Sequence, residues 1–169
     1  MLFRSDYSGV LVKSGGLTLN QAGSLQLATG MNTVLETQAA TASLRWNGSG
    51  ATTLGPGSAL SLYTLPYGTD LGSGGVVATL SGPLSVPASA RLSSTSSGLT
   101  ITPPSASALQ FDGTLAVNAG STRLNTAAIP VASIGSLVLL DGTLVLDAPL
   151  AVSAYSQKGG SLQGYGSLE

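Results

Sequence analysis

Cysteine and histidine are both missing from this chain of 169 residues. The first absence removes disulfides and thiolate metal sites, and the second removes the commonest general base and imidazole ligand. Charge is scarce as well: Asp, Glu, Lys and Arg together make up 8% of the residues, against about a quarter in an average domain. Solvent-facing helices display Glu and Lys three or four positions apart, so a chain this poor in both is not expected to be helical. The six basic residues, Arg4, Lys13, Arg45, Arg91, Arg123 and Lys158, are scattered and the net charge is −1. No basic stripe gathers phosphates by counterion release, which argues against sequence-specific nucleic-acid binding. No apolar run reaches the roughly 18 residues of a transmembrane helix, and the residues from Met1 to Tyr7 lack the charged and apolar regions of a signal peptide.

What fills the sequence instead is glycine, small polar residues and leucine, arranged in a recurring phrase in which an alternating apolar pair follows a glycine. It is seen in Gly16-Leu17-Thr18-Leu19, in Gly23-Ser24-Leu25-Gln26-Leu27, in Gly57 to Leu62 and in Gly82-Pro83-Leu84-Ser85-Val86. Four more copies begin at Gly98, Gly113, Gly135 and Gly142. Alternation with period two, bounded by turn residues, is the signature of a short strand. The first leucines recur near multiples of seven to eight residues, as from Leu17 to Leu25 and from Leu137 to Leu144. One strand and one turn fill such a unit, and three units make a rung of roughly 20–25 residues. The fold class expected is therefore all-β, a parallel β-helix (β-solenoid) of short Leu-rich strands with Gly-containing corners. The alternative is an antiparallel β-sandwich, which also predicts short strands at regular spacing, but with more aromatic residues than the 5% present.

In the solenoid reading the leucines of each phrase point inward, while Thr114, Ala116 and Thr143 lie on the outer face. Asp112 to Ala119 matches Asp141 to Ala148 at an offset of 29 (141 − 112), readable as one rung enlarged at the corner Ala127-Ala128-Ile129-Pro130. Residues 31–56 read as less regular rungs, residues 63–75 as a protruding loop, and Ser93–Ser97 and Pro103–Ser107 as low-complexity corners. A single domain is expected over residues 3–167, with residues 1–2 and 168–169 as additions to a piece of a larger exported protein.

The candidates for chemistry are few. Of the seven carboxylates, Asp112, Asp141 and Asp147 are the ones whose spacing could bring them together, as a glycosidase or lyase would need. Asp112 and Asp141 each precede a glycine, and an Asp-Gly turn with positive φ at the glycine accounts for both. Serine is abundant, but with no histidine, and with Lys13 and Lys158 in Gly-rich turns, none has an activating base. No cofactor or metal motif is present, and no catalytic residue is assigned. Arg45, Trp46, Tyr63 and Tyr67 are the candidate partner-binding residues: aromatic rings with a cation can grip a sugar or a protein if they share an exposed patch. Trp46, the only tryptophan, could instead cap an end of the core or fill a wide corner. Asn47-Gly48-Ser49 fits a glycosylation sequon, and a hairpin turn explains it as well.

The segment Lys158-Gly159-Gly160-Ser161-Leu162-Gln163-Gly164-Tyr165-Gly166-Ser167-Leu168, with the phrases above, resembles the Gly-Gly-(Thr/Ser)-Leu-x-Gly-x-Gly-(Thr/Ser)-Leu repeats of secreted bacterial β-helix proteins. These are the passengers of autotransporters and filamentous-haemagglutinin-like exoproteins. A thinner resemblance is to the solenoid domains of minor pilins in DNA-uptake systems. The resemblance implies a right-handed parallel β-helix outside the cell. It carries over no catalytic residue. A structural or adhesive segment of a secreted or cell-surface bacterial protein is the function expected from it. Its partners would be a host, matrix or cell-surface protein or carbohydrate, with end-to-end or lateral self-association. A surface- or pilus-displayed module binding carbohydrate or DNA is the alternative.

Overall fold

The computed structural model describes residues 8–65, 74–125 and 132–169. Every strand pair among them runs parallel, which excludes the antiparallel sandwich. The chain winds in three-strand rungs. The first comprises β1 (Ser8–Val12), β2 (Gly16–Gln21) and β3 (Leu25–Gln26), and the second β4 (Asn32–Thr37), β5 (Ser43–Gly48) and β6 (Thr52–Thr53). The third comprises β7 (Ala59–Thr64), β8 (Gly75–Leu80) and β9 (Leu84–Val86). From the fourth, which opens with β10 (Arg91–Thr95) and β11 (Ser97–Ile101), single strands pass from the third face into the first face of the next rung: β12 (Leu109–Val117), β14 (Ala132–Leu139) and β16 (Leu150–Gln157). In β12, Leu109–Phe111 pairs with β9, Thr114–Val117 pairs with β10, and the register against β14 shifts between Phe111 and Thr114. The middle face is completed by β13 (Gly120–Leu124), β15 (Thr143–Leu146) and β17 (Ser161–Gly164), giving a sheet of seven strands and so seven rungs.

Parallel register stacks the inward residue of each strand on its counterpart about 4.8 Å away. Leu60, Leu92, Leu115 and Leu137 form one such column on the first face, all buried, and Leu80, Ile101, Leu124 and Leu146 another on the middle face. The alternation read from the phrases is the alternation of this core. In the first rung it is weaker, with Leu17 and Leu19 half-buried and Leu25 36% exposed, because that rung has a stacked neighbour on one side only. Thr114 and Thr143 lie half-buried on the outer side as expected, but Ala116, in column with Ser93 and Val138, is fully buried.

The rungs are unequal. Hydrogen-bonded pairs on successive rungs are separated by 25 residues (Ser8 and Thr33), 27 (Asn20 and Asn47), 32 (Ser61 and Ser93), 23 (Thr95 and Asn118) and, at the far end, 18 (Thr143 and Ser161). The first inward position of the middle face shrinks with them: Leu17, Leu44, Val76, Ser97, Gly120, Gly142 and Gly160 occupy it in turn. A Cβ on Gly160 would stand 2.2 Å from the carbonyl oxygen of Gly142, so the short rungs close only because this column has run out of side chains.

Several expectations are corrected. The copy at offset 29 does not mark one rung: Leu115 stacks on Leu92 and Leu137 in the first face, whereas Leu144 stacks on Thr122 and Leu162 in the middle face. It relates two faces, being one rung plus one side. Ser93–Ser97 is not a low-complexity corner. Ser93 and Ser94 are buried within β10, Ser97 opens β11, and Ser96 alone turns the chain, at φ 49°. Residues 31–56 form the complete second rung rather than an irregular one. Pro103–Ser107 is a corner, leading into a short 3-10 turn at Ala106–Ala108. Of the proposed loop, Tyr63 and Thr64 end β7 and Gly75 starts β8, while residues 66–73 and the corner at 127–130 lie outside the described residues. Leu168 and Glu169 are part of the coil: Leu168 bridges to Leu150, and the Glu169 N–H donates to the Leu150 carbonyl at 3.0 Å.

Candidate functional site

The three aspartates whose spacing pointed to a group stand at three different corners. Asp112 lies where β12 turns from the third face to the first, Asp141 between β14 and β15, and Asp147 between β15 and β16. Neither Asp-Gly pair forms a positive-φ turn, since Gly113 and Gly142 are both outside that region. They are glycines for another reason: an added Cβ would meet the Ala90 and Pro87 carbonyl oxygens at 2.5 Å in one case and the Val117 side chain at 2.6 Å in the other. Asp147 is engaged by Arg123, which donates to both carboxylate oxygens at 2.7 and 2.8 Å, and this hydrogen bonding and charge raise the Arg123 pKa above its ordinary value. Among the described residues no group of three or more carboxylates gathers as a metal site.

Of the four candidate partner-binding residues, the three that are described, Arg45, Trp46 and Tyr63, do not share one exposed patch. Trp46 points inward, in column with Leu19 and Ala78, and is 3% exposed. The small Ala78 stacked on it leaves space for the ring. Trp46 is thus a core residue, and the indole is withdrawn from any surface contact. Arg45 lies on the outer side of the middle face between Thr18 and Val77, while Tyr63 lies on the outer side of the first face. Tyr67 lies outside the described residues. Asn47-Gly48 ends β5 rather than making a hairpin, and the exposed Asn47 amide donates to Asn20 Oδ1 at 2.8 Å.

What surrounds Tyr63 is a groove of about 460 Å³ on the outside of β1, β4 and β7. Two outward columns build it. Leu11, Glu36 and Tyr63 follow one another across three rungs as one wall, and Gly9, Val34 and Ser61 do the same as the floor. The floor is low because position 9 is bare: a Cβ there would stand 2.1 Å from the Val34 carbonyl oxygen. Gln38 donates to Glu36 Oε1 at 2.9 Å, fixing the carboxylate against an amide, and the exposed Lys13 stands at the same end. Backbone N–H and C=O groups of β4 and β7 are spent on pairing with their neighbours, so over these two strands a ligand in the groove meets side chains, while β1 ends the sheet among the described residues. Sequence reasoning found Tyr63 but missed Gly9, Leu11, Val34, Glu36 and Gln38, because residues 25 or 27 positions apart become neighbours only once rung lengths are known.

No protein-family model, curated protein or solved structure matches the chain. Its class is defined by the fold alone, a parallel β-helix.

Proposed function

We propose that the chain is a structural and adhesive segment of a secreted or cell-surface bacterial protein, a short stiff stalk that presents its outer faces to another surface. The observation that carries this reading is the hydrophobic core that continues from rung to rung along the stack beneath outer faces rich in Ser and Thr. Nearest-neighbour stacking of this kind makes a rod about 30 Å long, whose stiffness comes from inter-rung hydrogen bonds. The relationship to autotransporter or haemagglutinin-like passengers belongs to the same proposal and rests on the Gly-Gly-Ser-Leu phrase at residues 159–162. End-to-end or lateral self-association belongs to the same proposal.

The test is attachment. Beads coated with the purified chain should adhere to bacterial or host-cell monolayers above beads coated with albumin, and antibody fractionation should find the protein at the surface or in the medium. Attachment no better than albumin, together with a cytosolic location, would overturn the reading. The groove over β1, β4 and β7 favours the second reading, a displayed binding module.

A further inference from the structure

We propose that this groove binds a neutral, linear oligosaccharide laid across the strands, with one sugar ring against the face or edge of Tyr63. The proposal deepens the adhesive reading and rests on it, supplying the ligand through which contact is made. Four observations point to this ligand class. First, the groove holds one cation, Lys13, and one anion, Glu36, so it offers no net charge to a phosphate backbone or a strongly charged peptide. Second, β4 and β7 are paired on both sides, so the strand-addition mode by which extended peptides bind is open only along the outer edge of β1 and not across the face that the groove spans. Third, the lining alternates apolar and hydrogen-bonding surface: Leu11, Val34 and the Tyr63 ring can meet the C–H faces of a pyranose. Glu36, Gln38 and Ser61 can meet its hydroxyl edges, and the Gln38–Glu36 hydrogen bond holds an acceptor and a donor side by side in advance of binding.

The fourth is spacing. Leu11, Glu36 and Tyr63 sit on consecutive rungs, a step of about 4.8 Å, which is close to the length of one sugar unit in an extended glycan. Three rungs therefore offer three successive subsites, the aromatic one at the third rung. The missing side chain at Gly9, forced by the approach of Val34, keeps the floor open at the first rung, where a third sugar would lie.

The experiment is titration of the isotopically labelled chain with cellotriose, chitotriose and mannotriose, followed by amide chemical shifts. At least one should give saturable shifts concentrated at Leu11, Val34, Glu36 and Ser61, with a Kd of about 1 mM or tighter. Tyr63→Ala should weaken that binding at least tenfold and Glu36→Ala several-fold, while Thr100→Ala, on the outer side of the middle face, should leave it unchanged. Circular dichroism checks that each variant keeps its β-spectrum, and Tyr63→Leu replaces Tyr63→Ala if the latter loses it. The proposal is overturned if none of the three sugars gives saturable shifts, if the shifts fall outside the groove, or if removing the Tyr63 ring leaves affinity unchanged. Beads that still attach while all three sugars fail would remove the oligosaccharide and leave the adhesive reading standing; loss of both would remove both.

Discussion

Thr122 occupies an inward position between Leu99 and Leu144, is fully buried, and its Oγ1 has no hydrogen-bond partner among the described residues. A hydroxyl taken out of water without a partner costs about 1–3 kcal/mol. Valine keeps the shape and removes the group, so Thr122→Val should raise stability by about 1 kcal/mol, or about 2–4 °C in Tm for a chain of this size. A fall in Tm on calorimetry would show that the hydroxyl is satisfied in solution. Leucines in the same column system act in the opposite sense. Leu115→Ala and Leu144→Ala, both at fully buried positions, should each cost about 2–5 kcal/mol in urea titrations. Thr143→Lys, at a half-buried outward position whose hydroxyl pairs with Ser161 at 3.1 Å, should cost only about 1 kcal/mol. Equal losses at Thr143 and Leu144 would show the in-and-out register to be wrong.

At the scale of strands and corners, glycine acts mainly by letting rungs approach, and one corner shows it cleanly. Gly23, Gly50 and Gly82 follow one another after the middle face; a Cβ on Gly50 would stand 1.9 Å from the Gly23 carbonyl oxygen and one on Gly82 2.1 Å from that of Gly50. Gly23, at the end of the stack, has nothing within 4 Å. Gly50→Ala should therefore destabilise by about 1–3 kcal/mol, the range for forced overpacking, and Gly23→Ala by much less. Equal urea midpoints for the two variants would contradict the stacking. The strands themselves were legible, because Leu60-Ser61-Leu62 or Leu17-Thr18-Leu19 carries period two on its face whatever its neighbours do. The corners were not. A corner can be a single Ser96 or the several residues between Thr64 and Gly75, so rung length varies and nothing local states which residues will stack. That is why the repeat at offset 29 misled and why buried Ser93 and Ser94 looked like a turn. The groove was illegible for the same reason, being made of residues a full rung apart, and Trp46 could be placed only once the small Ala78 was seen to stack on it.

The rungs lengthen from 25 residues at the first to 32 at the third and then shorten to 18 at the far end, so the two ends of the stack differ in width, and this bears on how two copies can meet. At the narrow end β16 and β17 have no further strand stacked on them among the described residues, with Leu162 39% and Tyr165 98% exposed, and Lys158 is the one basic residue between β16 and the last residue. Unprotected edges of this kind pair with other chains. Head-to-tail stacking would set a narrow rung on a wide one and leave apolar positions of the wide rung uncovered. Narrow end against narrow end matches rung for rung, and a twofold contact of this type is self-complementary and closes at two copies. Sedimentation velocity should therefore show a concentration-dependent monomer–dimer equilibrium and no higher polymer. The area of one small rung is well below the roughly 800 Å² per partner of a stable interface, so the dimer should be weak. Leu162→Lys puts a charge on the free edge and should hold the chain monomeric, while Met31→Lys, at an exposed position near the wide end, should leave the dimer intact. Open-ended polymers, or a dimer lost in Met31→Lys and kept in Leu162→Lys, would mean that the wide end makes the contact and that the difference in width does not govern assembly.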